Sequence, residues 1–145
     1  MVGGGDDMEI EDVAAEVVDA VFKVHTALGP GLLESAYEAC LIHELQKRGL
    51  RCARQVAMPL EYDGACIDTG FRLDVVVEDA IILELKAVEQ VLPIHQAQLL
   101  TYLKLSGHSI GFLVNFNVKH MRDGIRRMVL NNPTDPLRAP SRPSR

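Results

Sequence analysis

Residues 70–88, GFRLDVVVEDAIILELKAV, constrain the fold more than any other stretch of the chain. Val75, Val76, Val77, Ile81, Ile82, Leu83 and Leu85 form two short aliphatic runs, which read as strands of a largely buried sheet. Glu78-Asp79-Ala80 is a short, tight connection, so the two strands are expected to pair. Yet this apolar unit also carries Asp74, Glu84 and Lys86. Strand side chains alternate faces. Leu73, Val75 and Val77 are therefore expected on one face, with Arg72, Asp74, Val76 and Glu78 on the other. In the second strand Leu83, Leu85 and Ala87 share a face, opposite Ile82, Glu84, Lys86 and Val88. Glu84 and Lys86 thus point the same way, and hairpin pairing can bring Asp74 beside them.

The flanking segments complete an α/β pattern. Val13, Val17, Val21, Val24 and Leu28 recur at helical spacing, which predicts a helix over 9–28. Gly29-Pro30-Gly31 stops it, and a second helix is expected over 32–48, ending in Lys47-Arg48-Gly49. Residues 50–64 read as a strand with Pro59 at an edge or bulge, followed by an Asp63-Gly64 hairpin signal. A third helix fits 94–106, a strand 108–117 and a last edge strand 124–131. Three strands, a crossover helix and another strand give a mixed central sheet flanked by helices. Residues 9–131 suit one domain. Residues 1–8 read as a flexible acidic N-terminus, and 132–145, rich in Pro and Arg, as a disordered tail.

Composition excludes several classes. No apolar run approaches the ~18 residues of a membrane span. MVGGGDDMEIED has neither the basic start nor the apolar stretch of a signal peptide, so a cytoplasmic location is expected. Cys40, Cys52 and Cys66 are widely spaced and odd in number, which argues against a zinc site or disulfides and for reduced, mostly buried thiols. The net charge of −5 is unevenly spread: residues 1–19 hold seven acids and no base, leaving 13 acids against 15 bases elsewhere. From Lys119 onward there are seven bases and two acids. That segment is either a solvated tail or a surface for backbone phosphates.

Ionisable groups on a buried sheet need a reason, because burying unpaired charge is costly. One reading is structural: a Glu84–Lys86 or Asp74–Lys86 ion pair, or a half-solvated sheet face. The other is a divalent metal site, with Asp74, Glu84 and the Leu85 carbonyl as oxygen donors for Mg²⁺ or Mn²⁺ and Lys86 beside the attacking water. Glu34 shares a helical stripe with Tyr37 and Leu41, either as a boundary acid near the helix start or as a further ligand. On the third helix His95, Gln98 and Tyr102 share a face, while Leu99, Leu100 and Leu103 form an apolar one. His95 reads as an ordinary surface or satisfied histidine. Gln98 and Tyr102 offer hydrogen bonds to phosphate, water or the lysine.

The segment GLLESAY, Gly31-x-x-Glu34-x-x-Tyr37, resembles the GxxExxY protein family, as do FRLDVVVED, ILELKAVE, IHQAQLLTYLKLSG and LVNFNV. That family resembles a branch of the PD-(D/E)XK nuclease superfamily, which implies a restriction-endonuclease-like α-β-β-β-α-β core. On this resemblance Asp74 is the first acid of the motif and Glu84-Leu85-Lys86 its E-x-K. Glu34 is the helix acid, and Gln98-x-x-x-Tyr102 resembles the Q-x-x-x-Y motif of RecB-like nucleases. Leu73 stands where the motif has proline. The implied activity is metal-dependent phosphodiester hydrolysis of nucleic acid, with DNA the expected substrate. Asp74, Glu84 and Glu34 would bind Mg²⁺ or Mn²⁺, and Lys86 would assist the nucleophile. The rivals are a nucleic-acid or protein-binding module that keeps the fold without catalysis, and a small-molecule phosphoesterase. The chain's small size makes a homodimer or a protein partner a further expectation.

Overall fold

The first helix, α1 (Ile10–Leu28), presents Val13, Ala14, Val17, Ala20, Val21 and Val24 on one buried stripe. It stops where Gly29 takes a φ of 69° and returns its N–H to the His25 carbonyl at 2.7 Å. The second helix, α2 (Glu34–Lys47), buries Tyr37, Leu41, Ile42 and Leu45. Tyr37 ties the turn between them: its hydroxyl donates to the Gly29 carbonyl and accepts the Leu32 N–H at 3.1 Å. Its ring stacks on Phe116 at 4.4 Å. This staple fixes where α2 begins, and so where Glu34 stands. The computed structural model describes residues 8–130; the expectations for the first seven residues and for 132–145 fall outside that range.

Seven strands follow: β1 (Cys52–Ala57), β2 (Leu60–Tyr62), β3 (Ala65–Ile67), β4 (Arg72–Val77), β5 (Ile81–Lys86), β6 (Ile110–Asn115) and β7 (Ile125–Val129). The third helix, α3 (Pro93–Ser106), crosses between β5 and β6. The main sheet runs β1-β4-β5-β6-β7, antiparallel except for the parallel β5–β6 pair that α3 connects. This is the mixed, helix-flanked sheet of a restriction-endonuclease-like fold. Residues 50–64 do not form one strand. The run breaks at Met58-Pro59, and β2 pairs with β3 as a separate two-stranded sheet. Proline cannot donate to a ladder, and Asp63 (φ 54°) and Gly64 (φ 77°) close the small hairpin. No helix among the described residues is long and apolar enough to cross a membrane.

The sheet separates two cores. Val75, Val77, Ile81, Leu83 and Leu85 pack with α1 and α2 on one side. Val76, Ile82 and Leu113 pack with Leu99 and Leu103 of α3 on the other. Leu73 departs from the alternation expected of it: it packs with Val76 and Ile82, not with Val75 and Val77. Pairing of β1 with β4 runs Arg54↔Val75 and then Val56↔Leu73, missing the step at Gln55 and Asp74. Gln55 has a φ of 51°, a left-handed conformation that disturbs the pleat there. The cysteines are also more open than expected: Cys40 and Cys66 are exposed and Cys52 is half-buried, all three unpaired. Cys40 lies on the outer face of α2 and Cys66 on the small hairpin, neither of which a core covers.

Candidate active site

The disturbed step in β4 leaves Asp74 facing β5, and the two carboxylates clamp the strands reciprocally. Glu84 accepts the Asp74 N–H at 3.2 Å, and Asp74 accepts the Leu85 N–H at 2.8 Å. Glu84 is only 8% exposed, Asp74 and Lys86 are half-buried, and Glu34 is exposed at the start of α2. Lys86 is close enough to lower the proton affinity of Asp74, Glu84 and Glu34, yet it forms no ion pair among the described residues. Neither a Glu84–Lys86 nor an Asp74–Lys86 salt bridge forms among the described residues, while Asp74 and Lys86 stay partly open to solvent.

The acids are uncomfortable as anions. Burial first, and then the charge of Asp74, pushes the Glu84 carboxyl up to about 8. Burial raises Asp74 as well, against the opposing pull of the Leu85 N–H. Glu34 is raised by burial and by Asp74. Tyr102 is raised by burial and by the negative charges of Glu84 and Asp74, which places its hydroxyl within their field.

Sequence reasoning passed over Glu38, Arg54 and Gln55. Glu38 lies one turn beyond Glu34 and is 6% exposed. It accepts Arg54 Nε at 2.9 Å and Gln55 Nε2 at 3.1 Å. Gln55 also lies close enough to the Asp74 side chain to lower its proton affinity, so it stands between the helix acid and the strand acid. The spacing of Glu38 from Glu34, i and i+4, was a usable signal. Nothing local marks Gln55, whose role comes from its left-handed backbone between two packed elements.

The third helix contributes unevenly. Tyr102 packs near Phe71, with ring centroids 6.0 Å apart, above the second core. Gln98 is exposed and makes no hydrogen bond among the described residues, so it forms no ordered pair with Tyr102. The N–H of Leu92 bonds to Nδ1 of His95 at 3.0 Å, a cap for the start of α3.

Among the described residues no group of three or more His, Cys, Asp or Glu side chains converges to hold a metal ion. The compact donor set is two carboxylates, and its chemistry is hard and oxygen-only. One buried and one half-buried acid, with raised proton affinity and no paired cation, suit an octahedral ion that keeps several waters, as Mg²⁺ does. The site therefore fits such an ion through Asp74 and Glu84.

No curated protein and no solved structure matches the chain. A family model of the PD-(D/E)XK nuclease superfamily matches residues 11–128, a span that holds both helices on the first core, the whole crossover unit and every acid of the clamp. Divalent metals are typical of nucleases in that superfamily. With the order of elements, the mixed sheet and this match in agreement, the chain belongs to the PD-(D/E)XK nuclease superfamily.

Proposed function

We propose that the protein is a metal-dependent nuclease that hydrolyses phosphodiester bonds of nucleic acid, DNA in the first instance. One observation carries this reading: a buried and a half-buried carboxylate, both with raised proton affinity, stand beside a lysine that pairs with neither. A purely structural cluster would satisfy its charges internally.

Asp74 and Glu84 would hold Mg²⁺ or Mn²⁺, with the Leu85 carbonyl as a third oxygen donor and Glu34 reaching the ion directly or through water. When bound, such an ion polarises the scissile phosphate and makes a coordinated water easier to deprotonate. Lys86 would orient the attacking water and offset the charge that develops on the phosphate. Glu38 and Gln55 would hold Asp74 in place, and Tyr102 would donate a hydrogen bond to a phosphate oxygen. Gln98, exposed on the same helical face, would reach the substrate rather than another side chain.

The test is cleavage of single-stranded, duplex and branched DNA with Mg²⁺ or Mn²⁺. Cleavage that is abolished by EDTA and by Lys86→Ala supports the mechanism. Cleavage that survives both sinks it.

A further inference from the structure

Beside the candidate site, at the end of the parallel β5–β6 pair, lies a polar cleft of about 740 Å³. Gln96 of α3, Leu113 and Asn115 of β6, and Arg122 and Arg126 line it. Its construction follows from the sheet. Glu84 pairs with Leu113 across β5 and β6, and Leu113 pairs with Arg126 across β6 and β7. Residues opposite one another in a ladder share a face. Glu84, Leu113 and Arg126 therefore form one row, with Arg126 two strand spacings from Glu84, about 10 Å. The floor is rigid. The buried Asn115 amide accepts the Val88 N–H at 3.0 Å and donates to the Val88 carbonyl at 2.9 Å, tying the exit of β5 to β6. Gly124, in the turn between Arg122 and Arg126, lies so close against the Asn115 carbonyl that any side chain there would collide with it.

Among the described residues the two arginines differ from four of the other five. Arg48, Arg51, Arg54 and Arg127 each hold an acid. Arg122 and Arg126 are exposed and form no ion pair among the described residues, although Glu89 and Asp123 also line the cleft. A guanidinium fork left open in a polar cleft is matched by a phosphate, which it can bind bidentately. The cleft is continuous with the row that carries Glu84. Backbone phosphates recur about every 3.4 Å along the axis of one strand, so a group about 10 Å away lies within about three nucleotide steps.

We infer that the Arg122–Arg126 cleft is a second phosphate subsite, which grips the backbone of the substrate strand to one side of the bond that is cut. The inference rests on the nuclease reading for its geometry, but binding tests it independently of turnover. Labelled single-stranded oligonucleotides of DNA and of RNA are titrated with the protein in EDTA, by fluorescence anisotropy, over a range of salt. The chains compared are the unaltered protein, Arg122→Ala/Arg126→Ala and Arg122→Lys/Arg126→Lys. The alanine pair should weaken binding of at least one nucleic acid about 10- to 100-fold. It should also reduce the slope of log affinity against log salt by about 1.4, two contacts at ~0.7 each on a single strand. The lysine pair keeps the charges and should retain most of the slope, which separates lost phosphate contacts from misfolding. Unchanged affinity and slope in the alanine pair, or no binding of either oligonucleotide by the unaltered protein, overturns the subsite. A protein that binds through the arginines yet cleaves nothing keeps the subsite and refutes the nuclease. A protein that cleaves while the alanine pair binds normally refutes the subsite alone.

Discussion

The two ends of α2 hold carboxylates in opposite conditions. At its C-terminal end Glu44, 8% exposed, bonds Arg48 at 2.9 Å and lies 3.4 Å from Lys23. Arg48 also holds Glu16 at 3.0 Å and Asp19 at 2.8 Å. Glu44 is accordingly pulled below the usual carboxylate range, first by its hydrogen bond to Arg48. At the N-terminal end Glu34 and Glu38 face Asp74 and Glu84, and the acids there that shift are pushed up. Arg54 is committed to Glu38, and Lys86 is committed to none of them. One end is a brace between α1 and α2 in which every acid has a committed cation. The other is left short of positive charge, which is the condition a bound cation would relieve. Two carboxylates of equal exposure, 8% each, thus shift in opposite directions: Glu44 down beside Arg48, Glu84 up through burial and the charge of Asp74.

Substitutions that break this contrast should differ in kind. The largest effect is expected on cleavage: Asp74→Ala, Glu84→Ala and Lys86→Ala should each reduce the single-turnover rate by about 100- to 10,000-fold. Next in size is the response to metal. Saturating Mg²⁺ at about 100 times its Kd adds about 2.7 kcal/mol to the unaltered protein. That is a rise in Tm of about 5–10 °C for a chain of this size. Glu84→Gln should lose most of this rise, and a metal response of undiminished size in that variant would remove Glu84 from the ligand set.

Stability without metal should show opposite signs at the two ends. Arg48→Ala strips the brace and leaves Glu44, Glu16 and Asp19 without it, lowering Tm by about 5 °C. Above pH 8, where folded Glu84 carries its charge, Glu84→Gln removes a charge that burial disfavours and should raise Tm by about 2–4 °C in EDTA. If both substitutions lower Tm equally, the contrast fails.

The smallest effect is on pH dependence. The folded pKa of Glu84, about 8, lies above its ordinary value of 4.5. Between those values the folded chain keeps a proton that the unfolded chain has released, so metal-free stability should fall as pH rises through that window. Glu44 and Glu78 are lowered by Arg48 and Arg51, so their contribution is present above the ordinary carboxylate range and fades as pH falls below it. Melting curves in EDTA should therefore decline on both sides, and Glu84→Gln should flatten the alkaline side only.

Much of the architecture was legible because helices and strands write their periods locally. The stripe of Val13, Val17, Val21 and Val24, the stop at Gly29-Pro30-Gly31 and the alternation of Ile82, Glu84 and Lys86 all appear in the structure. Pro59 locally signals an edge or bulge, whereas the structure separates two sheets at Met58-Pro59, because what β2 pairs with is not a local property. Leu73 leaves the simple alternation for the same kind of reason. A strained residue on the neighbouring strand, Gln55, interrupts the pairing.

By itself the sequence determined which residues could make a site: an acid opening a helix, an acid in one strand, an acid and a lysine two apart in the next. Spacing along the chain decides such facts, since periods of 3.6 and 2.0 are set by backbone geometry. Only the tertiary structure decided that Asp74 and Glu84 accept each other's strand N–H groups, that Glu38 and Gln55 join them, and that Lys86 stays unpaired. It also decided that Arg126, far along the chain, stands in the same row as Glu84. These relations depend on how α2 packs against the sheet and how β7 pairs within it, and no local pattern encodes a distance between segments that meet only after the chain has folded.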